Sequence, residues 1–382
     1  MMKVLIVHNK YSQLGGEDMV VMNELEALKI AIGTENVFEY VVKTELNQKW
    51  KILKSILYSN IEYKKVYNLI KNNNIDIVHI HNYFPLLTIS VFKAAKDAGA
   101  KVVHTAHNFK LWCITGTFYR DQVGICTLCT QPKNILSGIK HRCYRNSFLQ
   151  SALVKLAFWN YKKRGLLKYI DKMIVLSDFQ LKLFESLKVD KQKMALKNNM
   201  VHFLPTTINP DNKKNYLFVG RLEYAKGIEF LLTSWIKLPP KYILTIIGTG
   251  SLEVTLRNKY QKYPNIQFLG EQDKTTVGEY IQKSRYTIQP SLWYETFGLT
   301  IIESFMLGTP VIGLQIGTRS ELIEDEKSGF LCTKENFIET IIKSDEYQGY
   351  DKMCLYSANA ALKYMPDKII QQQLEIYKEV LN

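Results

Sequence analysis

Short apolar runs rich in β-branched residues recur along this chain, separated by stretches long enough for amphipathic helices. In the first half they are Val4–Val7, Val37–Val42, Ile75–Ile80, Lys101–Thr105, Met173–Leu176 and Met194–Lys197. A second series runs Tyr216–Val219, Ile243–Ile247, Ile266–Leu269, Tyr286–Gln289, Val311–Gly313 and Phe330–Leu331. This alternation predicts the α/β class, with parallel sheets in doubly wound domains.

At 382 residues the chain exceeds one ordinary core and suits two domains. The polar stretch Val201–Lys214, with Pro205 and Pro210, reads as the linker. We therefore expect one Rossmann-like unit over 1–200, a second over 201–365, and a terminal helix over 366–382. With 46% hydrophobic and 23% charged residues the composition is that of a soluble globular protein. Val4–Val7 follows a single lysine and is too short for a signal peptide, and no apolar run is long enough to span a bilayer. The expected location is cytoplasmic. The net charge of +14 is uneven: residues 1–200 hold 30 Lys/Arg against 15 Asp/Glu, whereas residues 201–382 hold 20 against 21. A basic excess confined to one half argues for an anionic partner there.

Chemistry concentrates in Pro290–Glu303, where Glu295 and Glu303 flank Phe297-Gly298-Leu299. A helix beginning at Gly298 would put Glu295 in the loop at its mouth and Glu303 about 7 Å further along the axis. The backbone amides of Phe297, Gly298, Leu299 and Thr300 at that mouth would suit an anionic phosphate. Upstream, Gly15-Gly16 lies between a strand and a helix, so Gly16 lets backbone approach a ligand. The dinucleotide fingerprint G-x-G-x-x-G is missing, which counts against a dehydrogenase. Arg221 and Lys226 fall just past a strand in Gly220–Gly227, where two cations could converge on a diphosphate. No D-x-D pair occurs, so no carboxylate clamp for a divalent metal is evident.

These words together resemble the family 4 retaining glycosyltransferases. The E-x7-E spacing of Glu295 and Glu303 and the G-R-L…K-G word of Gly220–Gly227 carry the resemblance. Gly308-Thr309-Pro310 and Gly317–Leu322 extend it, although Ile316-Gly317 stands where the family commonly has two glycines. The resemblance implies the GT-B fold: two Rossmann-like domains facing across a cleft, with the last helix, Pro366–Leu381, crossing back to the N-terminal domain. It also implies a metal-independent hexosyltransferase with no catalytic cofactor, retaining configuration and taking a UDP- or GDP-sugar. Glu295 would hold the donor sugar hydroxyls and Glu303 the ribose. Gly16, Arg221, Lys226 and the Phe297–Thr300 turn would bind the donor. His107, in the word His104–Asn108, would contact the transferred sugar. Relatives assemble polysaccharides, so the implied acceptor is a glycan, lipid-linked, in capsule, exopolysaccharide or lipopolysaccharide synthesis.

Two segments fall outside these words. Cys113, Cys126, Cys129 and Cys143 lie in the insertion Asn108–Ser147, a spacing that suits a structural zinc, with His141 able to replace one thiol. The alternative is a set of reduced thiols. The segment Phe148–Tyr169 mixes Phe148, Leu149, Trp159 and Tyr161 with Lys155, Lys162, Lys163 and Arg164. It suits either a helix at an anionic membrane surface or a core helix with a solvated basic end. A nucleotide-sugar 2-epimerase would share the architecture, and a nucleic-acid-binding protein would share the charge, but no nucleic-acid motif accompanies it.

Overall fold

The computed structural model describes residues 2–11, 15–45, 48–201, 203 and 205–382. Residues 12–14 of the expected glycine loop, and 202 and 204 of the expected linker, lie outside the described residues. The chain divides into two compact units. One comprises 1–117, 127–200 and 366–382, and the other 201–365 together with Phe118–Cys126.

The first unit is built on β1 (Val4–Lys10), β2 (Val37–Lys43), β3 (Ile77–Ile80) and β4 (Lys101–Thr105). A short antiparallel pair, β5 (Tyr119–Arg120) and β6 (Gly124–Ile125), precedes β7 (Lys172–Val175) and β8 (Met194–Leu196). The six longer strands form one parallel sheet in the order β2-β1-β3-β4-β7-β8. β1 and β3 are buried on both faces, as a parallel sheet covered by helices requires, whereas edge strand β2 alternates between sheltered and exposed residues. Helix Pro366–Leu381 belongs to this unit. It buries Ile369, Ile370, Gln373, Ile376 and Tyr377 beside helix Gly16–Ile32.

The second unit holds β9 (Lys214–Val219), β10 (Leu244–Ile247), β11 (Ile266–Gly270), β12 (Ser284–Gln289), β13 (Val311–Leu314) and β14 (Gly329–Cys332). They are parallel in the order β11-β10-β9-β12-β13-β14. Its core packs Tyr216, Phe218, Trp235, Tyr286, Ile288 and Phe330. Numbered within its own sheet, this order is 3-2-1-4-5-6, the Rossmann arrangement. Each sheet reverses direction once, between β1 and β3 in the first and between β9 and β12 in the second. At such a reversal the flanking crossovers leave on opposite faces and open a crevice at the strands' C-terminal ends, where ligands of open α/β sheets bind.

All twelve expected sheet strands form. The helix expected over Phe148–Tyr169 is interrupted, ending at Lys163 and resuming at Leu166, because Gly165 sits in the left-handed region at φ 74°.

Candidate active site

In the second unit the loops after β9 and β12 meet at the reversal point. Lys226 ends a 3-10 turn, Tyr224–Lys226, and Gly227 follows at φ 71°. A Cβ on Gly227 would stand 1.9 Å from the Pro290 carbonyl oxygen, so only glycine lets this turn lie against the β12 loop. Leu292 N–H donates to the Ala225 carbonyl at 2.8 Å and fastens the two loops. The contact delivers Lys226 Nζ to Glu295 Oε1 at 2.6 Å.

The same carboxylate oxygen accepts from Ser291 Oγ at 2.9 Å and from Trp293 Nε1 at 3.2 Å. Lys226 also lies over the Trp293 ring, 5.3 Å from its centre. Behind Glu295, the Thr318 hydroxyl donates to its backbone carbonyl at 2.7 Å. Fully buried Arg319 donates to the carbonyls of Leu314 and Ser291. Burial alone would raise the Glu295 pKa. The charges of Lys226 and Arg319, with the Lys226 and Ser291 hydrogen bonds, overcome it and hold the carboxyl at about 2. Glu295 is therefore a fixed anion, oriented by three donors and backed by two cations.

Eight residues on, the helix expected to begin at Gly298 runs Leu299–Met306, with Gly298 at φ 147° as its cap. Phe297 is buried and meets Tyr364 edge to face at 5.7 Å. Leu299 and Thr300 in the first turn are half-buried. Glu303 is also half-buried; burial pushes its carboxyl up, with Lys274 opposing. Arg221, expected beside Lys226, is exposed and pairs with Glu223 Oε1 at 2.8 Å. Of the two cations, the structure thus brings Lys226 alone onto the Glu295 loop.

The first unit gathers its polar groups at its own reversal point. Gly15 caps helix Gly16–Ile32, its N–H bonding Asp18 Oδ2 at 2.9 Å, and Asp18 Oδ1 lies 2.8 Å from buried His8 Nε2. Glu17 and Asp18 make this first turn acidic. Burial raises Glu17 to about 7, with Lys110 opposing.

At the end of β4, His107 is half-buried. Its Nε2 lies 2.9 Å from His81 Nδ1, and the two rings stack with centres 5.2 Å apart. Behind His81 is a buried network that sequence reading missed. Glu24 Oε2 accepts from Lys197 Nζ at 2.8 Å, and Glu24 Oε1 accepts from Gln373 Nε2 at 2.6 Å. Lys197 also reaches Gln373 Oε1 at 2.7 Å, and His79 Nδ1 stands 3.0 Å from Glu24 Oε1. The alternation His79-x-His81 at a strand end was the one sequence signal for it.

Glu24, His79 and His81 are the one group of three metal-ligating side chains that comes together among the described residues. A cation there would face the Lys197 ammonium, which already neutralises Glu24, so the donor set suits a hydrogen-bonded network better than a metal. Of the four cysteines of the insertion, Cys113 is buried and Cys126, Cys129 and Cys143 are half-buried. The described cysteines form no disulfide.

The depressed Glu295 pKa has a signed consequence. A carboxyl held below its unfolded value of 4.5 stabilises the fold above that value, and this contribution is lost as pH falls towards 2. Chemical denaturation of the wild type and Glu295→Gln should therefore give a constant stability gap from pH 8 to about 5. The gap should narrow on further acidification; one that widens would contradict the assignment.

Comparisons with known proteins agree with this fold. Residues 39–202 match the family model described as Glycosyltransferase Family 4, and residues 205–347 match Glycosyl transferases group 1. An uncharacterized 41.2 kDa protein in the cps region of Klebsiella pneumoniae is 24% identical over 81% of this chain and 80% of its own. HepE of Anabaena in complex with UDP superposes with a TM-score of 0.68, at 14% identity over 99% of this chain and 100% of its own. The lipopolysaccharide outer core galactosyltransferase WaaB gives 0.66, at 15% identity over 99% and 100% of the two chains. With its two parallel six-stranded sheets, its returning C-terminal helix and both halves matched, the chain belongs to the family 4 glycosyltransferases of the GT-B fold.

Proposed function

We propose that this glycosyltransferase moves a hexose-type sugar from a UDP-sugar to a glycan acceptor in bacterial surface-polysaccharide assembly, with retention of configuration and without a catalytic metal. The observation that carries the reading is the Lys226–Glu295 pair, 2.6 Å apart at the reversal point of the second sheet. In this reading Glu295, fixed as an anion, accepts hydrogen bonds from the donor sugar hydroxyls. Lys226 and the amides of the turn at Phe297–Thr300 stabilise charge on the departing diphosphate, which is commonly the largest catalytic term. Glu303 holds the ribose; in the first unit, Gly16 and His107 are the residues read as facing substrate. The acceptor oxygen bonds to the anomeric carbon on the face from which the sugar–phosphate bond breaks, and its proton passes to the departing phosphate oxygen. UDP is favoured over GDP because HepE was solved with UDP and UDP-glucose. Polysaccharide assembly is supported by the cps-region relative and the WaaB likeness.

A lipid-linked acceptor is supported by the first unit's surface. On helix Phe148–Lys163, Val154, Ala157, Phe158 and Tyr161 are buried, while Phe148, Leu149, Leu156 and Trp159 are exposed. Beside it, helix Lys49–Ser55 exposes Trp50 and Leu53. The two segments are joined where Asn160 Nδ2 donates to the Leu57 carbonyl at 2.9 Å and Arg164 lies over the Tyr58 ring. Lys51, Lys54, Lys155 and Lys163 belong to these same helices, and residues 131–200 carry 15 basic against 4 acidic residues. Apolar side chains amid cations fit the interface of an anionic bilayer. No described helix is long and apolar enough to cross one.

A thermal-shift and turnover panel of UDP-glucose, UDP-galactose, UDP-N-acetylglucosamine and GDP-mannose tests the enzymatic reading. A UDP-sugar should raise the melting temperature and be turned over equally with EDTA present. Glu295→Ala should keep the fold and lose roughly 10²-fold or more in turnover. Strict dependence on added divalent metal, or near-normal turnover of Glu295→Ala, would overturn it. Vesicles containing phosphatidylglycerol should bind the protein in a salt-sensitive manner, and the double variant Trp50→Ser, Trp159→Ser should weaken binding severalfold. Equal binding to neutral vesicles, or preferential binding to DNA, would contradict the membrane reading.

A further inference from the structure

Glu295 does not share its donors between its two oxygens. Lys226 Nζ, Ser291 Oγ and Trp293 Nε1 all end on Oε1, at 2.6, 2.9 and 3.2 Å. One carboxylate oxygen has two lone pairs, so three donors fill it. Oε2 accepts from none of the described residues, and it is not one of the buried side-chain atoms left without a partner. It is therefore the oxygen that solvent or a ligand can reach.

The same indole also acts on Lys226. The ammonium lies over the Trp293 ring, 5.3 Å from its centre, where the negative face of the ring attracts it. Of its three N–H groups one is spent on Oε1, and the indole covers a second direction, which leaves an N–H for an incoming anion. Arg221, the other cation of the β9 loop, is already paired with Glu223. The bond from Leu292 N–H to the Ala225 carbonyl, at 2.8 Å, ties together the residues that immediately precede Trp293 and Lys226, so the indole and the ammonium are held in register.

We infer that Trp293 is the positioning residue of the donor site. Its N–H commits Glu295 Oε1 to the protein and leaves Oε2 for a sugar hydroxyl, while its ring aims the Lys226 ammonium at the diphosphate. The inference rests on the reading that Glu295 and Lys226 receive the two ends of the donor. Without the indole N–H the carboxylate is free to turn and offer Oε2 to Lys226, which takes the acceptor away from the sugar. Without the ring the ammonium loses the surface that fixes its direction.

Two substitutions separate these contributions from each other and from packing. Trp293→Phe keeps an aromatic face and removes the N–H, whereas Trp293→Leu removes both. Calorimetry with UDP reads the diphosphate end, and turnover of the best donor of the four-sugar panel reads the sugar end. Trp293→Phe should bind UDP within about twofold of wild type yet lose roughly tenfold in kcat, the scale of one hydrogen bond to a charged group. Trp293→Leu should lose as much in kcat and also bind UDP severalfold more weakly. A readout without ligand is the indole proton–nitrogen signal of Trp293, identified by its loss in Trp293→Phe, which should move in Glu295→Gln. An indole signal indifferent to Glu295→Gln, UDP affinities that do not differ between the two Trp293 variants, or full turnover in Trp293→Phe would overturn the inference. A responsive indole signal in a wild type that binds no UDP would remove the donor-site reading and leave the Trp293–Glu295–Lys226 arrangement standing.

Discussion

Parallel pairing is the constraint from which the rest follows. Strands joined by helical crossovers all end on the same edge of their sheet, so every βα loop of a unit gathers on one side. The order of the second sheet reverses between β9 and β12, and the loops of those two strands carry Lys226 and Glu295. The first sheet reverses between β1 and β3, and there His8, Asp18 and His81 gather. Chemistry is placed by topology before any side chain is chosen.

Both clusters manage buried charge in the same manner. A carboxylate removed from water is costly unless a cation and several donors replace the lost hydration. Glu295 meets this with Lys226, Ser291 and Trp293, and Arg319 supports the loop from behind. Glu24 meets it with Lys197 and Gln373. Glu295 is further oriented by groups from its own loop, whereas the partners of Glu24 come from a distant strand end and from the last helix.

The same difference explains what could be read from the sequence. Strand positions were legible because apolar periodicity is local, and the helix at Gly298 was legible because a glycine cap and E-x7-E spacing are local as well. The pairing of Lys226 with Glu295 was half legible: both residues were singled out, but as separate ligands of a donor and not as partners. Arg221 was expected to converge with Lys226, yet Glu223, two residues away, takes its guanidinium. The Glu24 network was not legible, because it joins residues 24, 81, 197 and 373, whose proximity only the fold creates. The interruption at Gly165 could have been foreseen, since a glycine late in an amphipathic segment commonly ends a helix.

The central claim is that the reversal point of the second sheet binds the nucleotide end of the donor. Hydrogen–deuterium exchange with saturating UDP tests this without any substitution. The account predicts protection of backbone amides following β9, at residues 220–227, and of the segment 290–303. Protection confined to other segments, or none at a UDP concentration that shifts the melting temperature, would contradict it.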